Sequence, residues 1–148
     1  MGGDAQAGTW PWLALTSLAQ VEVSSEAPDF PIEAALEPGH PAGWRAASTG
    51  VQTIRLLFDA PTRVRRLWLR FHEDAVARTQ EFVLRWSGNG LWFREIIRQQ
   101  WTFSPGGGMV QSEDYRVDLE GVFGVELTII PDISGGPAYA SLAEWRIA

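Results

Sequence analysis

Hydrophobic and polar residues alternate with a period of two along most of the chain, and a helical period is nearly absent. In the stretch 54–58 the side chains of Ile54, Leu56 and Phe58 share one face, and in 67–71 Leu67, Leu69 and Phe71 do the same. Alternation of this kind marks strands with one buried face. The same reading places strands at 20–24, 81–86 (Phe82, Leu84 and Trp86 on one face), 93–98, 115–119, 125–130 and 141–147. Between them lie turn signals: Asp59-Ala60-Pro61, Ser87-Gly88-Asn89-Gly90, Pro105-Gly106-Gly107-Gly108, Glu120-Gly121 and the Gly/Pro-rich run 131–137. About eight short strands at this spacing predict an all-β, antiparallel sandwich or barrel.

Segment 27–48 breaks the rhythm. Pro28, Pro31, Pro38 and Pro41 exclude regular helix or a central strand over most of it, yet it ends in Gly43-Trp44-Arg45 and must be anchored. A long ordered loop of this kind is usually functional. The total of 148 residues suits one domain. That domain is expected over 9–148, behind a disordered extension at 1–8.

Composition narrows the classes of function. Twelve arginines and no lysine face eighteen acids, for a net charge of −6, and no arginine-rich stretch is free of nearby acids. A phosphate-tracking stripe is therefore missing and nucleic acid is excluded as the expected partner. No stretch is apolar enough for a membrane span, and the start of the chain lacks the charged and apolar regions of a secretory leader, so a cytoplasmic location is the default expectation. The absence of Cys removes disulfides and thiolate metal sites. The two histidines, His40 and His72, have no metal-ligand spacing. His72 precedes Glu73 and Asp74 at a strand end, but no nucleophile elbow accompanies it, and adjacent residues of a strand face opposite ways. The residues therefore give no support to an enzyme.

Eight Trp are far more than usual, which points to a β-rich core, a ring-stacking site, or both. Parity sorts several of them. Trp86 and Trp145 fall in phase with their inward neighbours, whereas Trp68 shares its face with Arg66 and Arg70, where packing between the two arginines is expected. Trp10 and Trp12 are expected to tie down the N-terminal segment. Trp92, Trp101, Phe103 and Tyr139 fall at strand ends or in loops, where a ring either anchors the loop or offers a platform to a flat apolar face.

Three segments in order carry a family resemblance. The stretch Ser24-Ser25-Glu26 through Glu33-Ala34-Ala35-Leu36-Glu37-Pro38-Gly39-His40-Pro41-Ala42-Gly43-Trp44, followed by Thr53-Ile54-Arg55-Leu56-Leu57-Phe58-Asp59, resembles the opening of the discoidin, or coagulation-factor type C, family, whose bacterial relatives include carbohydrate-binding module family 32. Phe82-Val83-Leu84-Arg85-Trp86-Ser87-Gly88-Asn89-Gly90-Leu91-Trp92 is similar to that family's strand, turn and aromatic, and Ala140-Ser141-Leu142-Ala143-Glu144-Trp145-Arg146-Ile147 is similar to its closing strand.

The resemblance implies a galactose-binding-like jelly roll that binds its ligand without catalysis, through loops at one end. It implies a carbohydrate ligand, with a galactose-type sugar as one expectation, with His40, Arg78, Glu73 or Glu81, and one of Trp92, Trp101 or Phe103 in the contacting roles, and Trp44 in the core. A bidentate Arg and a His suit vicinal hydroxyls, and an aromatic ring covers the apolar face of a pyranose. The family's structural calcium would draw on Glu37 and Glu144. Two of the usual side-chain ligands are missing, so this is a degenerate calcium site and no cofactor is expected. The alternative is a protein-interaction module of the same fold, with a homo-oligomer as one form of it, in which aromatics and arginines form the interface.

Overall fold

The computed structural model describes residues 10–40, 42–104 and 106–148; the extension expected at 1–8 lies outside them. In chain order the elements are α1 (Leu15–Leu18), β1 (Ala19–Val23), α2 (Glu33–Leu36), β2 (Trp44–Thr49), β3 (Gln52–His72), β4 (Arg78–Ser87), β5 (Arg94–Phe103), β6 (Val110–Ile130), β7 (Tyr139–Leu142) and β8 (Glu144–Ile147). All the strand pairings are antiparallel.

β3 and β6 run for 21 residues each, joining pairs of segments whose patterning predicted separate strands. The signals Asp59-Ala60-Pro61 and Glu120-Gly121 are bends within this ribbon rather than turns that end strands. Pairing slips between Leu57 and Arg66, where Pro61 cannot donate to the ladder and Gly121 takes a positive φ.

The bend folds the ribbon over on itself. Gln52 at the start of β3 lies opposite Ile129, which lies opposite Phe82 of β4. Phe71 sits near the far end of β3, about 60 Å from that row if the strand ran straight. Yet the rings of Phe71 and Phe82 stack with centroids 5.2 Å apart. Two layers result. One holds β1, the first half of β3, the second half of β6, β4 and β5; the other holds β8, the second half of β3 and the first half of β6. β2 and β7 pair separately. This is the expected antiparallel β-sandwich.

The inward faces meet in one core that contains Ile54, Leu56 and Phe58 from one layer and Leu67, Leu69, Phe71 and Trp145 from the other. Period-two parity placed these residues correctly. Trp44 is fully buried, and its Nε1 donates to the Ser25 carbonyl at 3.0 Å. Gly43 makes that possible: its φ is +66°, and a Cβ there would lie 2.5 Å from the Leu142 carbonyl oxygen of β7. Trp10 and Trp12 lie over the guanidinium groups of Arg65 and Arg66. Among the described residues no helix is long and apolar enough to cross a membrane.

Replacing Phe82 by Ala removes the ring that joins the layers, and urea denaturation should show a loss of about 3–5 kcal/mol. Trp92→Ala, at an exposed turn, should stay within about 0.5 kcal/mol of wild type.

Candidate functional site

At one end of the sandwich the β3–β4 loop, the β6–β7 loop and the edges of β2 and β7 enclose a hollow of about 450 Å³. Strand parity aims its side chains. Phe71 points inward, so His72 at the end of β3 points out; Trp44 is buried, so Arg45 faces out; Ala140 is buried, so Tyr139 is turned outward and stays half exposed. Asp74, Val76 and Asp132 complete the rim from the two loops. The Arg45 guanidinium lies over the Phe30 ring, 5.1 Å from its centroid, which steadies the head of this long side chain beside the hollow.

The floor is built on Arg78, whose side chain is only 2% exposed. Its Nε donates to Glu73 Oε1 at 2.9 Å, and one terminal nitrogen donates to the Pro131 carbonyl at 2.6 Å and reaches Gln80 Oε1 at 3.4 Å. The guanidinium lies 4.8 Å from the Phe103 ring centroid, because Phe103 is opposite Arg78 in the β4–β5 ladder. From Gln80 the chain of bonds continues through the sandwich: Gln80 Nε2 donates to Gln111 Oε1 at 2.8 Å, and Gln111 Nε2 to Glu113 at 2.9 Å. Arg78 thus ties the Glu73 loop to the Pro131 loop, the two walls of the hollow. Buried charges persist only when paired and hydrogen-bonded in this way.

The wall carboxylates are held ionised. Burial pushes the Glu73 carboxyl up, but hydrogen bonds from Arg78 and the Ala75 amide, with the Arg78 charge, outweigh it and leave it below the usual range. The Asp132 carboxyl is lowered by the Ser134 hydroxyl and amide, which donate at 2.6 and 2.9 Å. Because both folded-state values are depressed, their stabilising effect is present above the unfolded range and is lost as pH falls through about 4 and below.

The residues predicted from sequence do not gather in one place. Glu73 and Arg78 line this hollow, and Arg78 donates from its Nε and one terminal nitrogen. Phe103 is fully buried beneath Arg78 and offers no stacking surface. Glu81 lies outside the hollow among Arg98 and Gln100; the Gln100 hydrogen bond, then Arg98, lowers its carboxyl. Trp101 is half-buried and spends its Nε1 on the Gly108 carbonyl at 3.2 Å. Trp92, 81% exposed, follows Ser87 at the other end of β4, about 30 Å along the strand from Arg78. His40 lines a different hollow with Gly39, Arg70, Glu144 and Arg146. Arg45, His72, Asp74, Asp132 and Tyr139 were missed as a set. Tyr139 stands out in the sequence as a strand-end ring and His72 as a strand-end histidine, but nothing in the spacing says that four separated segments converge.

Glu37 and Glu144 do not share a metal position. Glu37 accepts from the Thr16 hydroxyl at 2.9 Å and faces His40 at 3.5 Å, while Glu144 bonds Arg70 at 2.6 Å and Arg146 at 3.1 Å. Arg146 also donates to the Leu36 carbonyl at the end of α2, at 2.6 Å. A guanidinium thus takes the loop carbonyl and the closing-strand carboxylate, and calcium, which wants six to eight oxygens, does not fit these residues. Among the described residues no group of three or more His, Asp or Glu side chains could hold a metal ion.

Fold and site together define an antiparallel β-sandwich with a loop-built hollow at one end. Comparison with solved structures agrees. The module CpGH89CBM32-5 from Clostridium perfringens, in complex with GalNAc-β-1,3-galactose, is 18% identical with a TM-score of 0.64, covering 93% of this chain and 99% of that one. The family 32 carbohydrate-binding module of NanJ from C. perfringens, in complex with galactose, is 13% identical with a TM-score of 0.65, covering 90% and 96%. Chitosan-binding module 1 of a chitosanase/glucanase from Paenibacillus sp. IK-5 is 18% identical with a TM-score of 0.63, covering 94% and 99%. No protein-family model and no curated protein sequence matches the chain. At these identities the likeness is one of fold.

Arg78→Ala strands Glu73 and the Pro131 carbonyl, so urea denaturation should show a loss of about 3–5 kcal/mol, with faster amide exchange in 131–138. Calcium and a chelator should give the same melting temperature, whereas Arg146→Ala should cost about 2 kcal/mol.

Proposed function

We propose that this chain is a non-catalytic carbohydrate-binding module and that the Tyr139 hollow is its binding site. One observation carries the reading: an outward, half-exposed aromatic ring stands beside Arg45, His72, Asp74 and Asp132 over a floor locked by Arg78. An apolar plate ringed by a few fixed hydrogen-bonding groups suits a pyranose, whose ring has an apolar face and an equatorial belt of hydroxyls. The hollow lies within the volume range of small-ligand sites. Solved structures with the same fold carry galactose and GalNAc-β-1,3-galactose, which supports a sugar as the class of ligand.

Neither Glu73 nor Asp132 suits the proton-donating role in glycoside hydrolysis. A glycosidase needs one carboxyl raised so that it can donate a proton to the leaving oxygen. Glu73 and Asp132 are both held below the ordinary range, and each is committed to an internal partner.

A second reading, docking to a protein, rests on a different feature. Leu91 and Trp92 stand 78% and 81% exposed on a turn whose amides are held by the Asn89 side chain. A rigid exposed aromatic is the usual form of an interface anchor.

Isothermal titration with galactose, N-acetylgalactosamine and glucosamine, alone and as short oligomers, should reveal binding by the wild type. Tyr139→Ala should weaken it at least about tenfold, which is about 1.4 kcal/mol. Trp92→Ala should leave it unchanged. Absence of any binding at millimolar saccharide would defeat the reading.

A further inference from the structure

A second cleft lies on the flank of the sandwich, built from residues the Tyr139 hollow does not use. Two adjoining hollows, of about 250 and 540 Å³, share His40 and Arg146. The larger is walled by Trp12, whose ring is 41% exposed and is held by the Arg66 guanidinium 4.6 Å from its centroid. The backbone beside it is fixed, since the Leu13 amide donates to the Ile147 carbonyl at 2.8 Å. Across the cleft His40 and Glu37 stand 3.5 Å apart, each roughly half exposed, with the second Glu37 oxygen held by Thr16. The arrangement repeats the chemistry of the first site: an anchored aromatic plate facing a fixed donor and acceptor.

The two sites lie along one row. On the outer face of β3 the residues His72, Arg70, Trp68 and Arg66 follow at alternate positions, so about 20 Å separates the His72 rim of the first hollow from the Arg66 that backs Trp12. A small hollow shares Arg45 and His72 with the first site and Arg70 with the second cleft, so the surface between them is indented rather than ridged. The walls of the hollows carry four arginines against five carboxylates, and Arg66 on the row between them is paired with Asp114, which leaves no positive field for a polyanion.

We propose that the Trp12–His40 cleft is a second saccharide subsite and that the ligand is an uncharged oligosaccharide lying along the outer face of β3 from Tyr139 to Trp12. This rests on the reading of the Tyr139 hollow as a sugar site and extends it from one ring to a chain. Holding one chain at two places makes the second contact intramolecular, so affinity rises with chain length until both subsites are spanned.

The test is titration calorimetry of the full chain with monosaccharide through hexasaccharide of galactose and of N-acetylglucosamine, together with oligogalacturonate. The inference requires the longest neutral chains to bind at least about tenfold more tightly than the monosaccharide. It also requires Trp12→Ala with His40→Ala to abolish that gain while leaving monosaccharide affinity intact. Melting curves identify any variant that fails to fold, and His40→Ala alone, at an exposed loop, should still reduce the gain. Equal affinity for monosaccharide and oligomer, with Tyr139 dependence retained, would overturn the second subsite alone. Preference for oligogalacturonate would overturn the uncharged ligand. Failure of every saccharide to bind would overturn the Tyr139 site as well.

Discussion

The fold depends on one constraint: a ribbon of two 21-residue strands whose inward residues are Ile54, Leu56 and Phe58 at one end and Leu67, Leu69 and Phe71 at the other. Left straight, it would expose one whole face to water. Doubling it over at Pro61 and Gly121 puts both halves on one core and brings Phe71 against Phe82. The architecture follows, because the outer strands have only the free edges of the two halves to pair with. β1 and β8 take the β3 side of each layer, and β4 with β5 extends the β6 side.

The same fold creates the need for Arg78. Closing the sandwich brings the ends of β3, β4 and β6 together, and two loops must cross that end without a strand to hold them. Arg78 joins them by donating to Glu73 on one loop and to the Pro131 carbonyl on the other, with Gln80 and Gln111 carrying hydrogen bonding between the layers. A rigid floor matters for sugar binding, since immobilising loops on contact would offset much of what a few hydrogen bonds to a hydrated ligand contribute. On the flank, Arg146 plays a comparable part, joining the end of α2 to β8 through the Leu36 carbonyl and Glu144.

The core was largely legible in the sequence and the site was not. Period-two alternation identified Ile54, Leu56, Phe58, Leu67, Leu69, Phe71, Phe82 and Leu84 as buried because burial of a strand face is a local property. The bends at 59–61 and 120–121 read as turns, since Pro and Gly break a ladder in either setting and only pairing partners tell the two apart. Segment 27–48 hid β2 and α2 among its prolines. The family resemblance led to Glu73 and Arg78, which line the hollow, and also to His40, which lines the flank cleft, to Phe103, which is buried, and to Trp92, which stands at the far end. The sequence marks Tyr139 as one of four candidate rings and His72 as a strand-end histidine, while Arg45 carries no mark beyond its place after Trp44; their meeting depends on contacts between residues nearly a hundred positions apart.

The central claim is that saccharide enters at the Tyr139 end of the sandwich, and the most direct measurement is the map of backbone amide shifts as labelled protein is titrated with saccharide. The account predicts perturbations concentrated at 72–78, at 131–139 and at Arg45. Perturbations concentrated instead around Leu91 and Trp92, or none at saturating ligand, would contradict it.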